Sequence, residues 1–356
     1  MELNQERSYG LDFLKLIFSF VVFFSHTVTF SDETTWLDPV QYNRIGFFSV
    51  HFFFVVSGML MVRHLVSAPC DDTISDGKAS LEYVIGKIKK LLVPYFTALV
   101  LSYIVRFIAD GSVKTSLKNM LLAFPEMMFV QESGLSIFNF NPPAWYISAM
   151  IIVMLPLYYI LRKTRKSEAG LCVFAPIAGI LLYGYLFRKG DDPMSQIHNF
   201  TLIRAVCGIC MGTISWHLSV ALYKYREKQS ARLAATIAEL LIYALCLCCL
   251  FIPQFNNNNT LYSVYLLLPI GIAVSFSEIS YFSEFFKAKF FRYLGNISLT
   301  IYLVHHISIP LVKKWFPESG YIESVTYMAA ITVVLCLVDC VAVHAIKSCS
   351  KKHRSL

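Results

Sequence analysis

The sequence predicts an all-α integral membrane protein, a bundle of about ten transmembrane helices with both termini cytoplasmic. Three observations predict it. Only 15% of the 356 residues are charged and 56% are hydrophobic, with mean hydropathy +0.57, whereas soluble domains carry roughly 25% charged residues. Apolar runs long enough to cross a bilayer recur about ten times, at approximately 11–30, 44–66, 92–109, 143–161, 169–187, 199–221, 233–252, 261–278, 293–312 and 322–346. With the N-terminus placed inside, 22 of the 31 Lys and Arg fall on the cytoplasmic side, the asymmetry that sets orientation in membranes. That bias also accounts for the net charge of +8 without a nucleic-acid partner.

Taken in order, Met1–Ser8 is polar and no small-residue cleavage site follows the first apolar run, so the run reads as a retained span. It carries Asp12 and His26, fourteen positions apart, which places them within about 40° of each other and about 21 Å apart along a helix. An aspartate in mid-span costs roughly 2.5–3.5 kcal/mol, so such groups face the bundle interior. The alternative for this pair is a helix-start aspartate and a histidine bonded to a carbonyl. Arg44, His51 and Arg204 fall in the same outer half as His26, and Arg63 falls in the inner half with Asp12. Singly, His51, His64, His217 and His344 read as structural. Ser80–Leu92 is a basic amphipathic stretch expected to lead into the third span at Pro94. It reads either as an interfacial helix on anionic lipid or as a site where Lys87, Lys89 and Lys90 hold an anionic cytosolic ligand. Residues 112–141 are interrupted by Pro125 and Glu126 and closed by an Asn-Phe-Asn-Pro-Pro run, so they read as an outer cap, re-entrant or lid-like.

The ten cysteines give no disulfide framework. Cys207 and Cys210 form a C-x-x-C inside a predicted span with no second pair, and read as small hydrophobes rather than a metal or redox site. Asn256–Asn259 reads as an outer loop, with Asn258 heading an N-x-T sequon. His305 and His306 are adjacent and point about 100° apart on a helix, so at most one is expected to face His26. There is no Gly-rich phosphate loop, no G-x-S-x-G and no H-E-x-x-H, so soluble-enzyme templates do not apply. No internal repeat is evident, which argues against an inverted-repeat transporter.

Five motifs, in order over most of the chain, resemble acyltransferase family 3, the polytopic membrane O-acyltransferases. They are Arg7 with Gly10-Leu11-Asp12-Phe13 and His26; the aromatic run Phe52-Phe53-Phe54 leading to Ser57-Gly58; Lys87-Ile88-Lys89-Lys90 closing at Pro94; Ala144-Trp145-Tyr146; and Asn296-Ile297-Ser298 with Tyr302-Leu303-Val304-His305. Each alone is weak; the five in order are specific. Lysines stand at 87 and 90 where the family often has arginine, which keeps charge and loses the bidentate fork. His51 stands where the family often has an acidic residue, so no role is carried to it.

The resemblance implies one transmembrane acyltransferase domain over residues 1–356 with no appended soluble domain, in the inner (plasma) membrane. It implies O-acyl transfer, acetyl above all, from cytosolic acyl-CoA to a hydroxyl of an exported or lipid-linked glycan, with no permanently bound cofactor and no metal. His26 is then the general base, with an acyl-histidine as the variant. Lys87, Lys89, Lys90 and Arg7 attend the donor, and Asp12 with Arg7 holds the inner end of the first helix. Ser57, Trp145, Tyr302 and His305 line the site. Two other classes stay open: an acyl carrier feeding a separate transferase, and a glycan or lipid transporter. Coenzyme A dependence separates the transporter from both.

Overall fold

A computed structural model describes residues 8–32, 38–67, 73–111, 113–133, 139–164, 173–189, 197–255, 258–286 and 290–354. The described residues are helical and contain no strand: α1 (Tyr9–His26), α2 (Pro39–Ser67), α3 (Asp76–Asp110), α4 (Val113–Leu122), α5 (Phe124–Met127), α6 (Trp145–Thr164), α7 (Ala175–Lys189), α8 (Ile197–Tyr223), α9 (Gln229–Phe251), α10 (Asn258–Phe276), α11 (Phe282–Phe285), α12 (Phe290–Val304), α13 (Ser308–Trp315) and α14 (Tyr321–Arg354). Eight helical segments among the described residues are long and apolar enough to cross a membrane, and two shorter apolar helices, Ala175–Arg188 and Thr260–Phe276, fall on the other two expected runs. The chain is therefore an all-α multi-pass membrane protein. The inner and outer ends named below follow the bias of basic residues.

Local chemistry sets the helix ends. The Ser8 hydroxyl accepts the Leu11 N–H at 3.4 Å and Asp12 sits in the first turn of α1, so both answer the unsatisfied N–H groups there. The basic stretch is not a separate interfacial helix. It is the inner half of α3, which runs unbroken through Pro94 and ends at Gly111 (φ +68°), whose N–H donates to the Phe107 carbonyl at 2.9 Å. Ser80 donates to the Leu155 carbonyl at 3.0 Å, which holds that half against α6, while Leu81, Ile85 and Lys89 stay exposed.

At the centre stands α2, most of it buried, while α14 lies at the rim with most of its apolar surface turned outward. The α2–α8 contact is backbone against backbone. A Cβ on Gly58 would sit 2.1 Å from the Ile209 carbonyl oxygen, and one on Gly212 would sit 2.3 Å from that of Val55. Gly208 and Gly212 form the small-x-x-x-small pattern that lets membrane helices approach closely. Cys207 and Cys210 are buried free thiols on this packed helix, and no group of three metal-ligating side chains occurs among the described residues. The α1–α12 contact has a second close approach, where a Cβ on Gly295 would meet Asp12 at 2.5 Å.

The outer cap is helical, and one buried carboxyl fastens two of its parts together. Glu126, fully buried in α5, accepts the N–H groups of Phe140 (2.7 Å) and Asn141 (3.0 Å), and Tyr95 donates to its carbonyl at 2.8 Å. Residues 112 and 134–138 of the cap, and Asn256 and Asn257 of the outer loop, lie outside the described residues; Asn258 begins α10. Burial pushes the Glu126 carboxyl up from its ordinary 4.5 to about 7, against the opposing pull of the two N–H groups and of Arg106. The folded state therefore holds this proton more tightly than the unfolded chain. The resulting stabilisation is complete below pH 4.5 and is lost as pH rises through 7. Detergent-solubilised wild type is expected to lose thermal stability between pH 5 and 8, by about 3 kcal/mol at most. Glu126→Gln should lack that part of the slope. Parallel slopes in a thermal scan at several pH values would refute the assignment.

Candidate active site

Two cavities at opposite ends of the α2–α6 seam bring together half of the site residues expected from sequence: His26, Trp145 and Tyr302 at one, Lys87 and Lys90 at the other. The outer one, about 80 Å³, is bordered by Ser25, His26, Asn43, Phe47, Trp145 and Tyr302 among others. His26 is in the last turn of α1, Asn43 and Phe47 open α2, Trp145 opens α6 and Tyr302 stands near the end of α12. The Tyr302 hydroxyl donates to the Pro143 carbonyl at 2.8 Å, and the Asn141 amide donates to the Leu303 carbonyl at 2.7 Å. These two bonds fasten the Asn-Pro-Pro run, and with it Trp145, onto α12. The Arg204 guanidinium lies over the Phe47 ring at 4.4 Å, in an adjoining small cavity that Trp145 also borders.

Both late histidines reach His26, contrary to the expectation that at most one would. The His26 ring centroid is 5.1 Å from that of His305 and 5.0 Å from that of His306. The two rings diverge, 6.4 Å apart and nearly perpendicular, and each reaches His26 from its own side; they stand in the 3₁₀ turn His305–Ile307 that follows the end of α12 at Val304. The chain after His26 likewise tightens into a 3₁₀ turn, Thr27–Phe30. His305 is fully buried, with Nδ1 3.0 Å from the Ile301 carbonyl. A carbonyl only accepts, so Nδ1 carries the proton and Nε2 is left as a buried acceptor. His51 belongs elsewhere, buried between Tyr183 and Tyr265, with the Tyr265 ring stacked at 4.7 Å.

The inner cavity, about 430 Å³, is polar and basic, bordered by His64, Tyr83, Lys87, Lys90, Tyr158 and Arg162 among others, with Glu82 at its edge. Tyr83 and Tyr158 stack at 4.4 Å, His64 Nδ1 lies 3.1 Å from the Tyr158 hydroxyl, and Arg162 donates to Asp76 at 3.0 Å. Lys89 is exposed and does not border the cavity. Val50 at the outer cavity and His64 at the inner one are fourteen residues apart on α2, or about 21 Å. Ser57 lies midway rather than at His26: its hydroxyl is 2.9 Å from that of Tyr146 and 3.3 Å from Met150 Sδ. Asp12 is buried at the inner end of α1, 3.2 Å from Lys15 Nζ and far from the His26 ring. Arg7 lies outside the described residues.

Sequence reasoning missed Asn43, Tyr83, Tyr158 and Arg162, and it set His64 and His306 aside. One signal was available. Tyr83, Lys87 and Lys90 are spaced i, i+4, i+7 and share one face of α3, which excludes Lys89.

A multi-pass bundle therefore holds a buried histidine cluster at one end of the seam and a basic, aromatic pocket at the other. The chain belongs to acyltransferase family 3, whose acyltransferase domain matches residues 8–343, nearly its whole length. It is a membrane acyltransferase. No curated protein and no solved structure matches it.

Proposed function

We propose that this acyltransferase is an O-acetyltransferase of the inner (plasma) membrane. It moves the acetyl group of cytosolic acetyl-CoA to a hydroxyl of an exported or cell-surface glycan. The observation that carries the reading is the pairing of the basic pocket with the histidine cavity along one seam. Lys87, Lys90 and Arg162 present positive charge to the donor's phosphates. The pantetheine arm covers the roughly 20 Å along α2 and α6, parting the contact of Ser57 with Tyr146 and Met150 as it enters. At the outer cavity neutral His26 takes the proton of the acceptor hydroxyl, whose oxygen attacks the thioester carbonyl. A carbon–oxygen bond forms, the carbon–sulfur bond breaks, and the proton passes to the departing sulfur to give free coenzyme A. His305 and His306 hold the ring of His26 in place, and Trp145 offers an apolar face to a sugar.

Membranes carrying the protein, supplied with labelled acetyl-CoA and cell-envelope glycan, should transfer label to the glycan. Label that enters the glycan equally from a donor lacking coenzyme A would overturn the donor assignment. Lys87→Ala combined with Lys90→Ala should raise KM for the donor about tenfold or more with little change in kcat, because charge-assisted phosphate contacts are worth roughly 1.5–3 kcal/mol. The effect should shrink as salt is added. An unchanged KM would remove both lysines from donor binding.

A further inference from the structure

Beside the His26 cavity lies a smaller one of about 20 Å³. The two meet across Phe47, Val50 and Trp145, which border both. On α2 the outer cavity takes Asn43, Gly46, Phe47 and Val50, and the small one takes Phe47, Val50, His51 and Phe54. The small cavity is therefore set about one turn, or 6 Å, deeper along α2. Leu186 of α7 and Tyr265 of α10 supply its other walls, with the Arg204 guanidinium over the Phe47 ring.

These walls have no room to retreat. Val50, Phe54, Leu186 and Tyr265 are all buried. Behind α2 stands Gly208 of α8, where a Cβ would lie 2.5 Å from the Phe54 Cβ and 3.1 Å from His51 Nδ1. The Tyr183 hydroxyl meets the His51 ring at 2.6 Å, and the Tyr265 ring stacks on it at 4.7 Å.

Size and chemistry narrow the occupant. A void needs roughly 10–15 Å³ to hold one water, and that water needs roughly two to four polar partners. About 20 Å³ between aromatic and aliphatic walls suits one methyl-sized apolar group, and close packing leaves no space for a chain. Bonding fixes where such a group would point. In a thioester held at His26, the sulfur lies toward the seam and the acceptor hydroxyl enters past the exposed Asn43. The third direction at the carbonyl carbon, that of the alkyl group, is left for the wall of Phe47 and Val50.

We infer that this side cavity receives the methyl of the transferred acetyl group and so sets the acyl-chain length, with Val50, Phe54 and Leu186 as the residues that stop a longer chain. The inference rests on the thioester donor and the His26 site proposed above, and adds the residues that choose the acyl group.

The test supplies membranes carrying the full chain with acetyl-, propionyl-, butyryl- and succinyl-CoA, each labelled in the acyl group, and with cell-envelope glycan. The reading is kcat/KM for each donor. Wild type should prefer acetyl to propionyl about tenfold or more, the usual effect of one methylene too many, and should use butyryl less still. Leu186→Ala alters the small cavity and not the outer one, and should raise the butyryl-to-acetyl ratio about tenfold. Val50→Ala opens the same space from α2 and serves if Leu186→Ala fails to fold. Leu250→Ala, an equal truncation at a buried position of α9 that borders neither cavity, should keep the wild-type ratio. A merely structural part for Leu186 and Val50 would lower all donors alike and leave the ratio unmoved. An unmoved ratio in both variants, an equal shift in Leu250→Ala, or a wild-type preference for succinyl would overturn the inference. Transfer from all four donors alike would overturn it alone; transfer from none would overturn the donor reading and the inference with it.

Discussion

His26→Ala is expected to lower acyl transfer by about a hundredfold to ten-thousandfold, the range a positioned general base supplies. The ring borders the outer cavity and touches both late histidines, so its removal enlarges an existing space and leaves helix packing intact. The KM for the donor should stay near its wild-type value, because the basic pocket lies about 20 Å away along α2 and α6. Loss of kcat with KM preserved marks an interaction made in the transition state rather than in donor binding. The measurement is label in glycan at matched protein levels, over a range of donor concentrations. Equal turnover in the two proteins would take His26 out of the chemistry. A rise in KM alone would move it to the binding path.

Whether a residue could be placed from sequence depended on how local its geometry is. Span number and order were legible because hydrocarbon thickness forces long apolar runs, and each expected run carries an apolar helix among the described residues. The meeting of His26, Trp145 and Tyr302 followed from ordered motifs, each at the end of its own helix. The approach of His306 to His26 was not legible, since divergent neighbours on one turn can still flank a single ring, and nothing in Val304-His305-His306-Ile307 announces the 3₁₀ turn. Ser57 was grouped with the site through its place in a motif, yet seven residues beyond Val50 put it about 10 Å along the seam. The run of the basic stretch into the third span at Pro94 was legible, and α3 passes through that proline unbroken, with Ser80 held by α6 on one side and Tyr95 held by the cap on the other. Glu239 and Asp339, both buried in spans, escaped notice because single acidic residues in apolar runs carry no partner in the sequence. The partner of Glu239 is Ser275, on the next helix.

Gly212→Leu should abolish both stability and activity, and it should do so from a position that touches neither cavity. Its Cβ would lie 2.3 Å from the Val55 oxygen, 2.4 Å from the Met59 nitrogen and 2.7 Å from the Gly58 carbonyl carbon, all backbone atoms that cannot turn aside. Gly58 faces the same limit from the other helix, so the contact cannot be relieved by sliding one helix along the other. Overpacking a core typically costs 1–3 kcal/mol where side chains can adjust, and here only separation of α2 from α8 is left. That separation moves the helix that carries Phe47 and Val50 at the outer cavity, Ser57 at mid-seam and His64 at the inner pocket. Gly212→Ala should show the same defect in milder form. Gly77→Ala supplies the contrast: nothing lies within 4 Å of its Cβ, and replacing a helical glycine at such a place stabilises by roughly 0.4–1 kcal/mol. Thermal unfolding in detergent should therefore order the proteins as Gly77→Ala, wild type, Gly212→Ala and Gly212→Leu, with turnover collapsing only in the last two. A Gly212→Leu protein that unfolds at the wild-type temperature would mean that α2 and α8 do not meet backbone to backbone, and that the seam joining the two cavities is held by other contacts.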